Sequence, residues 1–190
     1  MSYGELGEAG DGEIAGGSDD FKTVNANSSY TTRETTNGWV GTNCAVMQGG
    51  TSDNNPTFKF IGGENSIRAF TMNGKTSAKG TITSPTLTTG CGTLSLNYGH
   101  AFSESNGVDF TVTIKQNGTT VQTYKVDVNS ITQKKAYTWE QEVNVAGDFV
   151  IEITNNCPSN NSSSNKDRVS IWNIVWTGYG NRCVNHRLLV

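Results

Sequence analysis

Val108-Asp109-Phe110-Thr111-Val112-Thr113-Ile114-Lys115-Gln116-Asn117-Gly118-Thr119-Thr120-Val121 is the stretch that decides the fold class. Val108, Phe110, Val112 and Ile114 alternate with Asp109, Thr111, Thr113 and Lys115. That period of two gives an extended strand one apolar face and one wet face. A helix would instead space its apolar residues three and four apart. Asn117-Gly118 then supplies the two positive-φ residues that a tight hairpin needs, and the chain returns along Val121 to Val128.

The same rhythm recurs outward from this hairpin. Leu94, Leu96 and Tyr98 alternate with Ser95 and Asn97, and Phe149, Ile151 and Ile153 with Val150, Glu152 and Thr154. Shorter runs stand at Phe21 to Val24, Val40 to Met47, Ser66 to Met72 and Thr81 to Thr83. They are punctuated by Asn37-Gly38, Gly49-Gly50, Asn73-Gly74 and Pro85, which read as turns and strand ends. In Arg168 to Thr177, Val169, Ile171 and Val175 read onto one face and Trp172, Ile174 and Trp176 onto the other. A strand apolar on both sides is either central and covered or presents one face to a ligand. Many short strands at this spacing, with almost no helical signal, predict an all-β chain: a two-sheet antiparallel β-sandwich, or jelly roll. The domain is expected over residues 19–179, after a Gly- and Glu-rich flexible lead-in at 1–18 and before a tail of different texture at 180–190.

Composition narrows the setting. Charged residues make up 16% of the chain, below the typical figure of about 25%, and Thr, Ser, Asn and Gly fill the gap. With a net charge of −3, and Lys134-Lys135 as the nearest basic run, there is no electrostatic footprint for nucleic acid. No apolar stretch reaches the ~20 residues needed to cross a bilayer, so no membrane insertion is expected. Such a polar, uncharged, β-forming chain fits a secreted or cell-surface module. Cys44, Cys91, Cys157 and Cys183 lack metal-site spacing; they allow three disulfide pairings or a set of small buried thiols.

Catalytic signatures are sparse. His100 and His186 are the only histidines, and neither belongs to a nucleophile elbow or a zinc motif. A glycosidase needs two carboxylates facing each other across a cleft. The strand-borne acids are Glu140 and Glu142, which share one strand face, with Glu152 and Asp109 elsewhere. The chain is therefore expected not to be an enzyme.

An ordered series of segments carries a resemblance. After Phe21 to Val24 come Gly38-Trp39, Arg68 to Gly74, Gly80 to Leu87, Gly92 to Tyr98, Val108 to Val112 and Asp167 to Ile174. In that order they resemble the jelly-roll accessory domains of secreted Bacteroidetes proteins, the choice-of-anchor, cleaved-adhesin and MAM-like group, which are similar in architecture to carbohydrate-binding modules. The resemblance implies a non-catalytic domain that binds a polysaccharide or oligosaccharide beside neighbouring domains of a larger polypeptide. The alternatives are an adhesin-like structural or protein-interaction spacer and, last, a small β-sandwich glycoside hydrolase. Relatives hold a structural calcium through an acid in the last strand; here Trp172 and Asn173 stand at that position, leaving Asp19, Asp20 and Asp167 as oxygen donors for calcium.

Sugars offer apolar C–H faces ringed by hydroxyls, so a binding site pairs aromatic rings with a few polar groups. Trp139, flanked by Tyr137 and Glu140 in a polar strand, is the leading platform candidate. Trp39 and Tyr98 are further candidate rings, and Arg68, Asn73, Asn97 and His100 are candidate polar partners.

Overall fold

One strand belongs to both layers of the molecule. In the computed structural model, which describes residues 15–50, 57–58, 67–102, 107–132, 135–160 and 168–180, this is β3 (Val40–Gly49). The other strands are β1 (Gly17–Asp19), β2 (Asn27–Glu34), β4 (Thr57–Phe58), β5 (Arg68–Met72), β6 (Thr81–Thr83), β7 (Cys91–Gly99), β8 (Val108–Gln116), β9 (Thr119–Val128), β10 (Tyr137–Val145), β11 (Val150–Asn155) and β12 (Val169–Trp176). The path runs β10-β7-β12-β5-β3-β6-β11-β8-β9. Every described pairing is antiparallel except a two-residue contact of β4 with β3. Val40, Gly41 and Thr42 pair with β6, whereas Cys44 to Gln48 pair with β5. Between them Asn43 takes a φ of 51°. Asn tolerates that left-handed conformation because its short polar side chain bonds locally, and here its amide donates to Lys79 O at 3.2 Å. The chain thereby turns a corner without ending the strand.

The corner folds the sheet into two facing layers, β10-β7-β12-β5-β3 with β2 on one side and β6-β11-β8-β9 on the other. Leu94, Leu96, Phe70, Met72, Val169, Ile171 and Val46 from the first layer share one buried core with Phe110, Val112, Ile114, Ile151, Ile153 and Ile82 from the second. Tyr98 meets Phe110 edge-on across the gap at 5.6 Å between ring centres. Phe21, Trp39, Phe70 and Trp176 form a continuous aromatic run in this core, with successive ring centres 4.6–6.3 Å apart. The hairpin tip is as expected: Asn117 and Gly118 have φ of 50° and 75°.

Several local expectations are corrected. Phe21 to Val24 is a turn rather than a strand. Asp19 Oδ1 accepts the Phe21 N–H at 2.8 Å, and Phe21 is held at a φ of 58° with its ring buried. The strands flanking this turn are the short β1 and β2, the latter a mostly exposed polar edge with no alternating signal to reveal it. Asn73-Gly74 is no tight turn either: Asn73 is buried, and its carbonyl accepts from Gly80 N at 3.1 Å. The chain needs that longer excursion, through a short 3-10 turn at Thr76–Ala78, because β5 and β6 lie end to end along β3 rather than side by side.

In β12 the register slips between Trp172 and Val175, where Asn173 takes a φ of 50°. This bulge shifts the alternation by one. Val169, Ile171, Ile174 and Trp176 then face the main core, while Trp172 faces outward and Val175 is exposed. Trp172 is nonetheless buried, in a second cluster with Ala45, Met47, Ala69 and Ala101. β12 is thus the covered central strand of the two options, seated between β7 and β5. Gly99 leaves room for the indole, since a Cβ there would come within 3.4 Å of Trp172 and 3.0 Å of Lys135 O. Part of the polar loop after Asn155, and Asp167, lie outside the described residues.

Cys44, Cys91 and Cys157 are free and buried, and Cys183 lies outside the described residues. Burial raises the Cys44 thiol and pushes Cys91 up to about 12. Two outcomes are expected. Phe110→Ala should cost about 3–5 kcal/mol in urea unfolding, against no more than about 0.5 kcal/mol for Thr123→Ala on the wet face. In peptide mapping after thiol alkylation at mildly alkaline pH, Cys44 and Cys91 should stay unmodified in the native protein and react once it is unfolded.

Candidate functional site

β10 and β9 end the strand path, so their outer edges lie on the same flank of the sandwich, one in each layer. Tyr137 and Trp139 are two apart on β10, which sets their rings on one side of the strand about 6.7 Å apart along it. Their register partners are Tyr98 and Leu96, so they point to the interior side of the first layer. At the outermost strand that interior runs out, and both residues are half-buried. Tyr137 stacks on Tyr98 at 5.7 Å and 24°. Trp139 reaches Tyr124 of β9 at 5.8 Å and 56°.

Side-chain amides stitch this aromatic seam together. Gln122 Nε2 donates to Val143 O at 2.8 Å, tying one edge to the other, and the Tyr124 hydroxyl donates to Gln122 Oε1. Gln141 is half-buried on the same side of β10. At the seam's end the Thr132 N–H donates to Tyr137 Oη at 2.7 Å, and Lys135 Nζ stands 5.4 Å from the Tyr137 ring centre. Hydrogen bonding to Thr132, aided by the Lys135 charge, holds the Tyr137 phenol below the usual tyrosine range. Burial raises Tyr98, with the neighbouring Tyr137 adding to it, and burial likewise raises Tyr124. The arrangement can present apolar ring surface beside amide donors and acceptors.

Of the residues expected at a binding site, Trp139 lies in the seam and Tyr98 directly beneath it, buried at 6% exposure. Asn97 sits one strand inward on the outer face, where its Oδ1 accepts from Thr138 Oγ1 at 3.1 Å. Trp39, at 1% exposure, is enclosed in the aromatic run of the core and offers no ring face to a ligand. His100 is 2% exposed with Nδ1 at 3.3 Å from Arg168 O. Arg68 begins β5, where its Nη1 donates to Ile67 O at 3.2 Å. Asn73 is locked into the corner network, its N–H donating to Asn43 O and its carbonyl accepting from Asn155 Nδ2. Trp39, Arg68 and Asn73 are therefore not gathered with Trp139. Gln122 and Tyr124 were missed as site residues: counting register from the Asn117-Gly118 turn sets Thr123 opposite the inward-facing Val112, and the one-residue slip between Ile114 and Lys115 brings Tyr124 there instead.

Of the acids expected to hold calcium, Asp19 and Asp20 take part in hydrogen bonds within the chain, and Asp167 lies outside the described residues. Asp19 is buried, with Oδ1 on the Phe21 N–H and Oδ2 accepting from Asn37 Nδ2 at 3.1 Å. Asp20 accepts from the Lys22 N–H and pairs with Lys22 Nζ at 3.1 Å. Among the described residues no three His, Cys, Asp or Glu side chains converge on a common point. Glu140 and Glu142 are exposed on the outer face of β10. Glu152 pairs with Lys115 at 2.9 Å, and Asp109 accepts from Asn156 Nδ2 at 2.6 Å; these lie on the outer face of the opposite layer. The two sets look away from each other across the core.

No protein-family model matches the chain, and no curated protein matches it. Among solved structures it is similar to a glycoside hydrolase family 43 arabinoxylan arabinofuranohydrolase from Bacillus subtilis, with a TM-score of 0.46 and 11% identity over 73% of this chain. The match spans about a quarter of that enzyme's length, 25%. A family 6 carbohydrate-binding module is similar at TM-score 0.44 and 14% identity, covering 86% of this chain and 95% of that one. The K3 cleaved adhesin domain of Lys-gingipain from Porphyromonas gingivalis gives 0.35 and 10%, covering 61% and 76%. The fold assignment rests on strand pairing and the shared core, independently of these likenesses.

The seam's tyrosines should titrate in a fixed order. Followed by NMR of labelled tyrosine, Tyr137 should ionise first and Tyr98 and Tyr124 last, with the earliest component lost in Tyr137→Phe. Because Tyr98 and Tyr124 keep their protons longer folded than unfolded, their contribution to stability is complete below the usual tyrosine range and is lost as pH rises through it. Tyr137, with its lowered value, acts in the opposite sense.

Proposed function

We propose that this chain is a non-catalytic carbohydrate-binding module that holds an oligosaccharide or polysaccharide against the Tyr137–Trp139–Tyr124 seam. The observation that carries this reading is the row of half-buried rings at an open flank, edged by Gln122 and Gln141. Sugar rings stack their C–H faces on such surfaces while amides fix their hydroxyls. The outward-facing acids on opposite layers supply no opposed carboxylate pair, which supports binding without hydrolysis. In this reading the module belongs to a secreted or cell-surface polypeptide of the Bacteroidetes accessory-domain type and acts beside other domains. No helix among the described residues is long and apolar enough to cross a membrane. Calcium has no part in it at Asp19 and Asp20, whose oxygens are already engaged.

A spacer role is the competing reading, and it is favoured by one observation: the seam rings also close the core, so they have a structural reason to exist. Titration calorimetry over a broad set of glycans separates the two. A binding module gives a millimolar-to-micromolar Kd, about −4 to −8 kcal/mol, for at least one glycan, and Trp139→Phe, which keeps an aromatic ring in the seam, weakens it about tenfold with the melting temperature nearly unchanged. Flat isotherms throughout would leave the spacer reading standing. No reducing sugar should be released from any glycan that binds, and melting temperatures with calcium and with chelator should coincide.

A further inference from the structure

The sequence carries Asn-Gly at 37–38, 73–74, 106–107 and 117–118, and Asn106 lies outside the described residues. In this dipeptide the glycine nitrogen meets little steric hindrance, so it can attack the asparagine side-chain carbonyl. The N–H proton is lost to water, the new Gly N–Cγ bond forms, and the Cγ–Nδ2 bond breaks with release of ammonia. The resulting succinimide is opened by water at either carbonyl to give aspartate or isoaspartate. Three conditions govern the rate: a glycine amide not held by a hydrogen bond, a side-chain amide free to rotate, and a local backbone able to leave its native φ and ψ.

The fold sets the other three sites apart. Asn73 is 8% exposed, with its backbone N–H on Asn43 O and its carbonyl on Gly80 and Asn155. Asn37 is exposed, but its Nδ2 donates to Asp19 Oδ2, and the attacking nitrogen, Gly38 N, donates to Thr35 O at 3.0 Å. Asn117 and Gly118 form the exposed tip of the β8–β9 hairpin. Among the described residues neither the Asn117 side chain nor the Gly118 N–H makes a hydrogen bond, and nothing lies within 4 Å of a Cβ built on Gly118. A two-residue tip held only by its own strands opens at far lower free energy than a buried corner.

We infer that Asn117 is a site of spontaneous deamidation in the native protein, and that the fold shields Asn37 and Asn73. Conversion to aspartate adds one negative charge at the tip. Conversion to isoaspartate adds a backbone methylene that a type I′ turn has no room for, and so loosens the end of the hairpin whose second strand carries Tyr124.

The test is timed incubation of the whole protein at mildly alkaline pH, native and in urea. Tryptic mapping follows the mass gain of amide-to-acid exchange, and methyl transfer by isoaspartyl methyltransferase reports the isoaspartate. Native Asn117 should convert at least about tenfold faster than Asn37 and Asn73, the ratio that about 1.4 kcal/mol of extra opening free energy imposes. In urea the three should converge, since the sequence is then all that distinguishes them. Equal native rates at the three sites, or a native Asn117 that stays intact while Asn37 converts, would overturn the inference.

Discussion

The apolar rows of β7, β12, β5 and β3 can leave water only by lying against those of β6, β11 and β8, and one continuous strand has to serve both layers for that to happen. The left-handed turn at Asn43 is therefore the constraint on which the rest depends. It passes β3 from β6 to β5, sets β5 and β6 end to end, and forces the long Asn73–Gly80 excursion between them. The polar groups freed at that corner are absorbed by asparagines: Asn43 on Lys79 O, and Asn155 on Asn73 O and the Cys157 N–H. At this corner Asn43 and Asn155 serve the backbone rather than a binding surface.

The same residue type supplies two further corrections of geometry. Asn144 and Asn173 both stand at positive φ inside register slips, in β10 and β12. Each admits one extra residue. In β12 the slip turns Ile174 and Trp176 into the main core. In β10 the alternation runs on through the slip, and Tyr137, Trp139, Val143 and Val145 all lie against the core. An Ala or Val at either position would have to hold a left-handed backbone without the local hydrogen bonds that make it tolerable for Asn.

This explains how much was legible beforehand. Period-two alternation located β7, β8, β9 and β11 and the Asn117–Gly118 hairpin because it holds over most of each strand, the slip between Ile114 and Lys115 lying close to the hairpin tip. It mis-set the faces of β12, because a bulge looks like any other residue in a linear sequence, and it passed over β2, whose residues alternate nothing. Of the site, Trp139 was legible as an aromatic in a polar strand. Tyr124 and Gln122 were not picked out, since what makes them neighbours of Trp139 is the stacking of two edges from different layers, a relation of topology rather than spacing. Trp39 and Tyr98 carried the same aromatic signal as Trp139, but Trp39 is enclosed in the core just before β3 and Tyr98 lies on β7, one strand further in.

In the seam, large rings meet the open flank while their inner faces still belong to the core. The indole N–H signals of the four tryptophans provide the most direct check on it, read by two-dimensional NMR during titration with a bound oligosaccharide. The account predicts that the Trp139 signal moves while those of Trp39, Trp172 and Trp176 hold still, the last on Thr89 Oγ1 at 3.1 Å. A still Trp139 signal, with movement confined to any of the other three, would contradict it.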